Sequence, residues 1–415
     1  MKISYVTMQF PAPSETFATN EIRVLADSGH QISVHALRPR HRDHSAMLSG
    51  RDIKRVTVSH NTIASTLSGV VYAVKELKLL LETVRWLWSR AAENRADHLV
   101  GLFLLPRAFS ILAEIENEGP DVVHLYWGHF PSIIGRLIQT RHPSIVTSIG
   151  LNAYDLARRF GGTIDVARQA DLVKTQAKVN VEAISAFTGV AIESIAVIHN
   201  GVDLGRIDSL ISGIEKEPFR IVTVGRLVAG KAMDDALRVF ANVRQAVPRS
   251  ELIVLGDGPE RRSLENLASA LGVADSVRFR GHVPHDDAIR EMARAQCLLF
   301  LSKSERLPNV VKEAMACRCA CITTVTPGID ELVTDNETGY LVEPGDIAES
   351  SAILESLMKG GDDLQAMTDA AYQHVVKNFD LAHTAQRLAN LWQQAVLDKA
   401  TANQPVDTTA YARGR

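Results

Sequence analysis

Phe219-Arg220-Ile221-Val222-Thr223-Val224-Gly225-Arg226-Leu227-Val228-Ala229-Gly230-Lys231 reads as a strand, a sharp turn and the start of a helix. Ile221, Val222 and Val224 are β-branched in a near-continuous apolar run, as in a strand buried on both faces. The unit repeats downstream. Strands over 251–256, 277–281 and 297–302 each precede a helix, over 260–271, 285–295 and 308–317; strands over 320–324 and 339–342 follow. Upstream, a strand over 2–7, a helix over 16–28 capped by Thr16 or Ser14, and a strand over 31–37 begin an earlier series. That series resumes at 121–125, 145–148, 171–175 and 194–198. Successive βα units build parallel sheets covered by helices on both faces. Two series therefore predict an α/β chain of two Rossmann-like, doubly wound domains, with ligands at the carboxyl ends of the strands.

The pattern breaks at His199-Asn200-Gly201-Val202-Asp203, followed by a polar stretch over 204–218 read as a connector. The boundaries expected are 1–205 and 206–379, facing a central cleft, with a C-terminal helix over 380–398 crossing back to the first domain. Residues 401–415 are polar and read as a disordered tail. Residues 70–88 have helical spacing in Leu77, Leu80, Leu81, Val84 and Leu87, with Lys and Arg between. They suit either a helix covering the sheet or one lying on an anionic membrane surface.

The chain has 415 residues, 46% hydrophobic and 22% charged, with a formal net charge of -3. Nothing there draws it generally to nucleic acid. Its four cysteines, Cys297, Cys317, Cys319 and Cys321, lack the second pair a zinc site needs and read as buried reduced thiols. The first strand begins too early for a signal peptide, and the apolar stretch 99–105 is well short of the roughly 20 residues of a membrane span. A cytoplasmic protein is expected, with peripheral contact to the membrane as the second expectation.

Glu305-Arg306-Leu307-Pro308-Asn309-Val310-Val311-Lys312-Glu313 follows the strand over 297–302. Pro308 fits a first helical position, where its missing N–H costs nothing. Such a helix start attracts phosphate. Carboxylates before and within the helix accept hydrogen bonds from hydroxyls, so the stretch suits a nucleotide sugar, with hydroxyls at both ends and phosphates between. At another strand end, Arg226 and Lys231 can neutralise a diphosphate leaving group, a role a metal plays elsewhere. No Asp-x-Asp at a strand end offers a metal site, so no metal or cofactor is expected. Gly256-Asp257-Gly258-Pro259 and Gly281-His282-Val283-Pro284 are turns after the intervening strands.

Taken together, these features resemble glycosyltransferase family 4, a group of GT-B fold, over roughly residues 195–380. Further matches are Glu313-Ala314-Met315-Ala316, Glu331-Leu332-Val333 after Gly328, Thr338-Gly339-Tyr340-Leu341-Val342 and the turn Asn200–Asp203. Phe10-Pro11, Ser14-Glu15-Thr16-Phe17, Asn20-Glu21-Ile22, Gly29-His30 and Asp121-Val122-Val123-His124 resemble a branch acting in polysaccharide assembly, colanic-acid biosynthesis among it.

The resemblance implies a retaining hexosyltransferase. It would move a sugar from a UDP- or GDP-sugar to a glycan or lipid-linked acceptor, without metal, giving an α-linked product. Arg226 and Lys231 would hold the diphosphate and Glu305 the donor-sugar hydroxyls. Glu313 would hold the ribose, the backbone at Leu307, Pro308, Asn309 and Val310 the phosphates, Val283 the base, with Gly256 and Gly258 lining the donor site.

Four departures stand out. Arg306 and Arg318 replace glycines, Ala320 replaces a proline, and Ile149 stands where the family carries a histidine. On the acceptor side that leaves His124, Asn152, Asp155 and Glu15 as candidates. The alternative is a noncatalytic nucleotide-sugar-binding protein of the same fold. A nicotinamide enzyme is disfavoured, because the first strand leads into Met8-Gln9-Phe10-Pro11 rather than Gly-x-Gly-x-x-Gly.

Overall fold

The computed structural model describes residues 1–12, 15–50, 53, 55–90, 95–360 and 364–402. Ser14 and residues 403–415 of the expected tail lie outside the described residues; Thr401 and Ala402 end the last helix.

The first sheet is built from Lys2–Thr7 (β1), Gln31–Ala36 (β2), Val56–Ser59 (β3), Val122–Leu125 (β4), Val146–Gly150 (β5), Leu172–Thr175 (β6) and Ile195–Val197 (β7). It has seven parallel strands in the order β3-β2-β1-β4-β5-β6-β7. The order reverses direction at β1 and β4, the switch point where doubly wound sheets open a crevice at their carboxyl edge. The second sheet uses Arg220–Val224 (β8), Glu251–Leu255 (β9), Val277–Gly281 (β10), Cys297–Phe300 (β11), Ala320–Thr324 (β12) and Tyr340–Val342 (β13). It has six parallel strands in the order β10-β9-β8-β11-β12-β13, with its switch between β8 and β11. Each sheet is thus a doubly wound α/β unit, as the two βα series predict.

Two compact units result: Met1–His199 with the chain from Ala382 onward, and Asn200–Leu381. Side chains alternate across each strand, so each sheet buries both faces. Ile3 and Tyr5 pack with Ile22 and Leu25 of the helix Thr16–Asp27 and with Leu388 and Trp392 of the last helix, Leu381–Ala402. Val6 joins Leu37, Phe109 and Ile133 in a separate core. In the second unit Ile221, Leu252, Leu299 and Ile322 meet Phe240 and Leu354 of its helices.

Residues 39–120 depart most from the sequence reading. The helix expected over 70–88 is two helices, Ile63–Lys75 and Leu77–Arg90, separated at Glu76. A capping box between Thr62 and Ser65 starts the first one earlier than apolar spacing indicates. A third helix, Arg95–Glu118, contains Pro106. It lies so close to the first that a Cβ on Gly69 would come within 1.7 Å of the Pro106 carbonyl oxygen. The edge strand β3 was also unread, and the supposed connector after Asp203 begins with a helix, Leu204–Ile211, whose Arg206 N–H the Asp203 carboxylate caps.

The helices Ile63–Lys75 and Leu77–Arg90 have a buried face and an exposed apolar face. Leu79, Thr83, Trp86 and Leu87 are buried against the first unit, whereas Ile63, Leu67, Val70, Val71, Val74, Leu77 and Leu81 are exposed. No helix among the described residues is long and apolar enough to cross a membrane. The four cysteines are buried and unbridged, and burial pushes the Cys319 thiol up to about 11.

Candidate functional site

Because the strands are parallel, the turns after β8, β9, β10 and β11 share one edge of the second sheet. Arg226 leaves β8 exposed to solvent, and Lys231 ends the short turn Ala229–Lys231. Lys231 Nζ makes an ion pair with Glu305 and lies 5.5 Å from the Phe300 ring centroid. Burial and then the neighbouring Arg226 hold its ammonium below the usual lysine range. The loops are tied together by the Gly230 carbonyl, which accepts from Ser302 Oγ at 3.1 Å and Lys303 N–H at 3.0 Å. Two cations and a carboxylate from distant turns thus form one polar group.

Gly256 and Gly258 brace this turn. Gly256 has φ 135°, and a Cβ there would come within 1.9 Å of the Gly225 carbonyl oxygen; one on Gly258 would come within 2.4 Å of that of Leu227. Their glycines are required by backbone approach. Val283 is half-buried after β10.

The helix Asn309–Ala316 begins one residue later than expected, with Pro308 as its N-cap and Leu307 held at φ 47°. The amides of Asn309 and Val310, first in the helix, have no intrahelical acceptor. Glu313, on its second turn, accepts a 2.9 Å hydrogen bond from His285 Nε2, which raises the His285 pKa. Sequence reasoning missed His285, because 28 residues separate the partners. Lys312 beside it is fully buried, donating to the Asn200 carbonyl at 3.0 Å and Asn309 Oδ1 at 3.2 Å. Arg318, one of the arginines standing in place of a glycine, takes a left-handed conformation, φ 51°, and is held by Asp369 at 3.0 Å and by the Tyr372 ring at 4.0 Å.

In the first unit His124 is not an acceptor-side group. It is 0% exposed, hydrogen-bonded through Nδ1 to Ser148 Oγ at 3.0 Å and enclosed by Tyr5, Tyr126 and Trp392. Burial drives its pKa well below the usual histidine range, so it is a neutral core residue. Its place on a strand covered by the last helix is the reason. Glu15 is the half-buried N-cap residue of the helix Thr16–Asp27, its carbonyl accepting from Thr19 Oγ1 at 3.1 Å. Asn152 Oδ1 accepts the Gln176 N–H at 3.2 Å.

Asp155 is 2% exposed and accepts three hydrogen bonds: Gly128 N–H at 2.8 Å, His129 Nδ1 at 3.0 Å and Asn152 N–H at 3.1 Å. His129 was not singled out from sequence. It lies in the loop after β4, and only the fold sets it beside Asp155. A buried cluster of Tyr5, Glu21 and Lys174 was also missed, with Glu21 accepting from both at 3.0 Å. Among the described residues no group of three His, Cys, Asp or Glu could hold a metal ion.

Residues 207–374 match the family described as glycosyl transferases group 1. The amylovoran biosynthesis glycosyltransferase AmsK of Erwinia amylovora is 23% identical over 427 residues, covering 95% of this chain and 100% of that protein. A glycogen synthase of Mycobacterium tuberculosis is 28% identical over 231 residues; the match covers 55% of this chain and 56% of the synthase, so the chain spans about half the length of that relative. Among solved structures, Anabaena Alr3699/HepE in complex with UDP is similar with a TM-score of 0.71 at 18% identity, covering 95% of this chain and 100% of that one.

Proposed function

We propose that the chain is a group 1 glycosyltransferase of the GT-B fold, as the match over residues 207–374 and the similarity to AmsK support, and that it moves a sugar from a UDP- or GDP-sugar to a glycan or lipid-linked acceptor, with retention of configuration, in polysaccharide assembly. The observation that carries this reading is the meeting of Arg226, Lys231 and Glu305 at neighbouring strand ends. Lys231 and Arg226 neutralise the donor diphosphate, and Glu305 turns from Lys231 to the donor-sugar hydroxyls as the phosphate takes the ammonium. Glu313, now held by His285, accepts from the ribose hydroxyls. The bond from C1 to the diphosphate oxygen breaks, C1 bonds the acceptor oxygen on the same face, and the acceptor's proton passes to the departing diphosphate. No general-base carboxylate is needed for that route, and side-chain cations replace a metal.

AmsK's part in amylovoran biosynthesis supports polysaccharide as the product; the UDP in the Alr3699/HepE crystal supports trying UDP-sugars first. A lipid-linked acceptor, met by peripheral binding at the membrane, is supported by the exposed apolar face of the helix Ile63–Lys75 and its continuation through Leu77 and Leu81. Exposed Lys75, Lys78 and Arg85 border that face, with Glu82 among them.

The test is release of nucleoside diphosphate from a panel of UDP- and GDP-sugars in EDTA. Glu305→Ala is expected to lower turnover about 10²–10³-fold while the donor still raises the melting temperature. If the wild type releases none with any donor yet is stabilised by one, the chain is a nucleotide-sugar-binding protein.

A further inference from the structure

The strand end that carries Ile149 has no imidazole. Resting on the transferase reading above, we propose that His129, flanked by the rings of Trp127 and Tyr154, forms the subsite for the acceptor's sugar ring in the N-terminal unit.

β4 and β5 are neighbours in the first sheet, so the loop after β4 and the helix Ala153–Arg158 after β5 meet at its carboxyl edge. Asp155 accepts two backbone N–H groups besides the imidazole. A carboxylate only accepts, so His129 Nδ1 must carry the proton. In the neutral ring Nε2 then presents a lone pair. Nε2 makes no hydrogen bond among the described residues and is not one of the buried orphan atoms. The helix start is already capped by Asn152 and Asp155 between themselves, and that cap needs no histidine.

Around the imidazole stand two more rings. Tyr154 lies 5.2 Å and Trp127 6.5 Å from the His129 centroid, and the two are 6.2 Å apart. Tyr154 is 52% exposed, and Arg158 Nη1 holds its hydroxyl at 3.0 Å. An exposed tyrosine beside a half-buried tryptophan offers apolar faces for the C–H face of a pyranose, while the sugar's hydroxyl edge requires an acceptor such as Nε2. His129 accepts a hydrogen bond from a non-reacting hydroxyl of the acceptor sugar, while the proton of the reacting hydroxyl goes to the donor diphosphate. Asp155 is a positioning residue, acting through the tautomer it imposes.

Saturation-transfer NMR on the full chain with UDP, using methyl glucopyranosides, galactopyranosides and mannopyranosides as probes, tests this. Saturation should reach the C–H protons of at least one glycoside. It should be lost in Trp127→Leu and Tyr154→Ala and kept in Trp127→Phe and Tyr154→Phe. The melting transition of the N-terminal unit, read by calorimetry on each variant, checks its folding. In transfer assays His129→Ala should raise the acceptor KM about tenfold. The ¹⁵N signals of His129 should report the Nδ1–H tautomer in the wild type and change in Asp155→Asn. The proposal is overturned if no glycoside receives saturation from the wild type, or if Trp127→Leu and Tyr154→Ala keep it. Failure of every donor to turn over, with saturation intact, would sink the transferase reading and leave the sugar subsite standing.

Discussion

Lys312 separates what a residue's neighbours in sequence suggest from what its burial imposes. It precedes Glu313 on the helix Asn309–Ala316, yet it is fully buried, and desolvation pushes its pKa down to about 7 despite the carboxylates of Glu313 and Glu331. The unfolded chain keeps a lysine near the ordinary 10.5. Between those values the unfolded state binds more protons, so this group makes stability rise with pH from about 7 to about 10.5, by up to about 1.4 kcal/mol per pH unit. Lys312→Met should flatten that rise in urea midpoints measured across the range; an unchanged slope would count against it. At this scale the positions of the candidate residues were legible, since Arg226, Lys231 and Glu305 lie in turns after strands and Glu313 lies within the helix that follows. The partners His285 and His129 were not, because a contact across loops leaves no local pattern.

At the scale of elements, the helices between β3 and β4 carry their meaning on two faces. One face is buried by Leu79, Trp86 and Leu87; the other leaves Val71, Val74 and Leu81 in solvent, beside basic side chains. A helix that only covered a sheet would turn polar residues outward. Vesicles containing phosphatidylglycerol should therefore sediment the protein, and neutral phosphatidylcholine vesicles should do so less. Val71→Glu with Leu81→Glu should abolish binding, since each places a carboxylate at an anionic surface. Equal sedimentation of the double variant would remove the membrane reading and leave the transfer chemistry untouched. The apolar spacing of 77–87 was legible, but not the break at Glu76 or the approach of Gly69 to Pro106, which depend on a third helix.

For the molecule as a whole, two units with separate cores predict two unfolding transitions in calorimetry, of which UDP raises only the one belonging to Asn200–Leu381. Trp392, from the last helix, is fully buried against Tyr5 and His124 of the first unit. Trp392→Ala should lower the other transition, by about 3–5 kcal/mol; a loss confined to the UDP-sensitive transition would contradict this packing. The sequence by itself determined the two βα series and the strand ends that bear Arg226, Lys231 and Glu305, because hydrophobic period and turn chemistry are local. Only the tertiary structure decided that His124 is core, that His129 stands on Asp155 and that Glu313 answers to His285. Those outcomes depend on which strands become neighbours and which face a distant helix covers, and no window of the chain contains both partners.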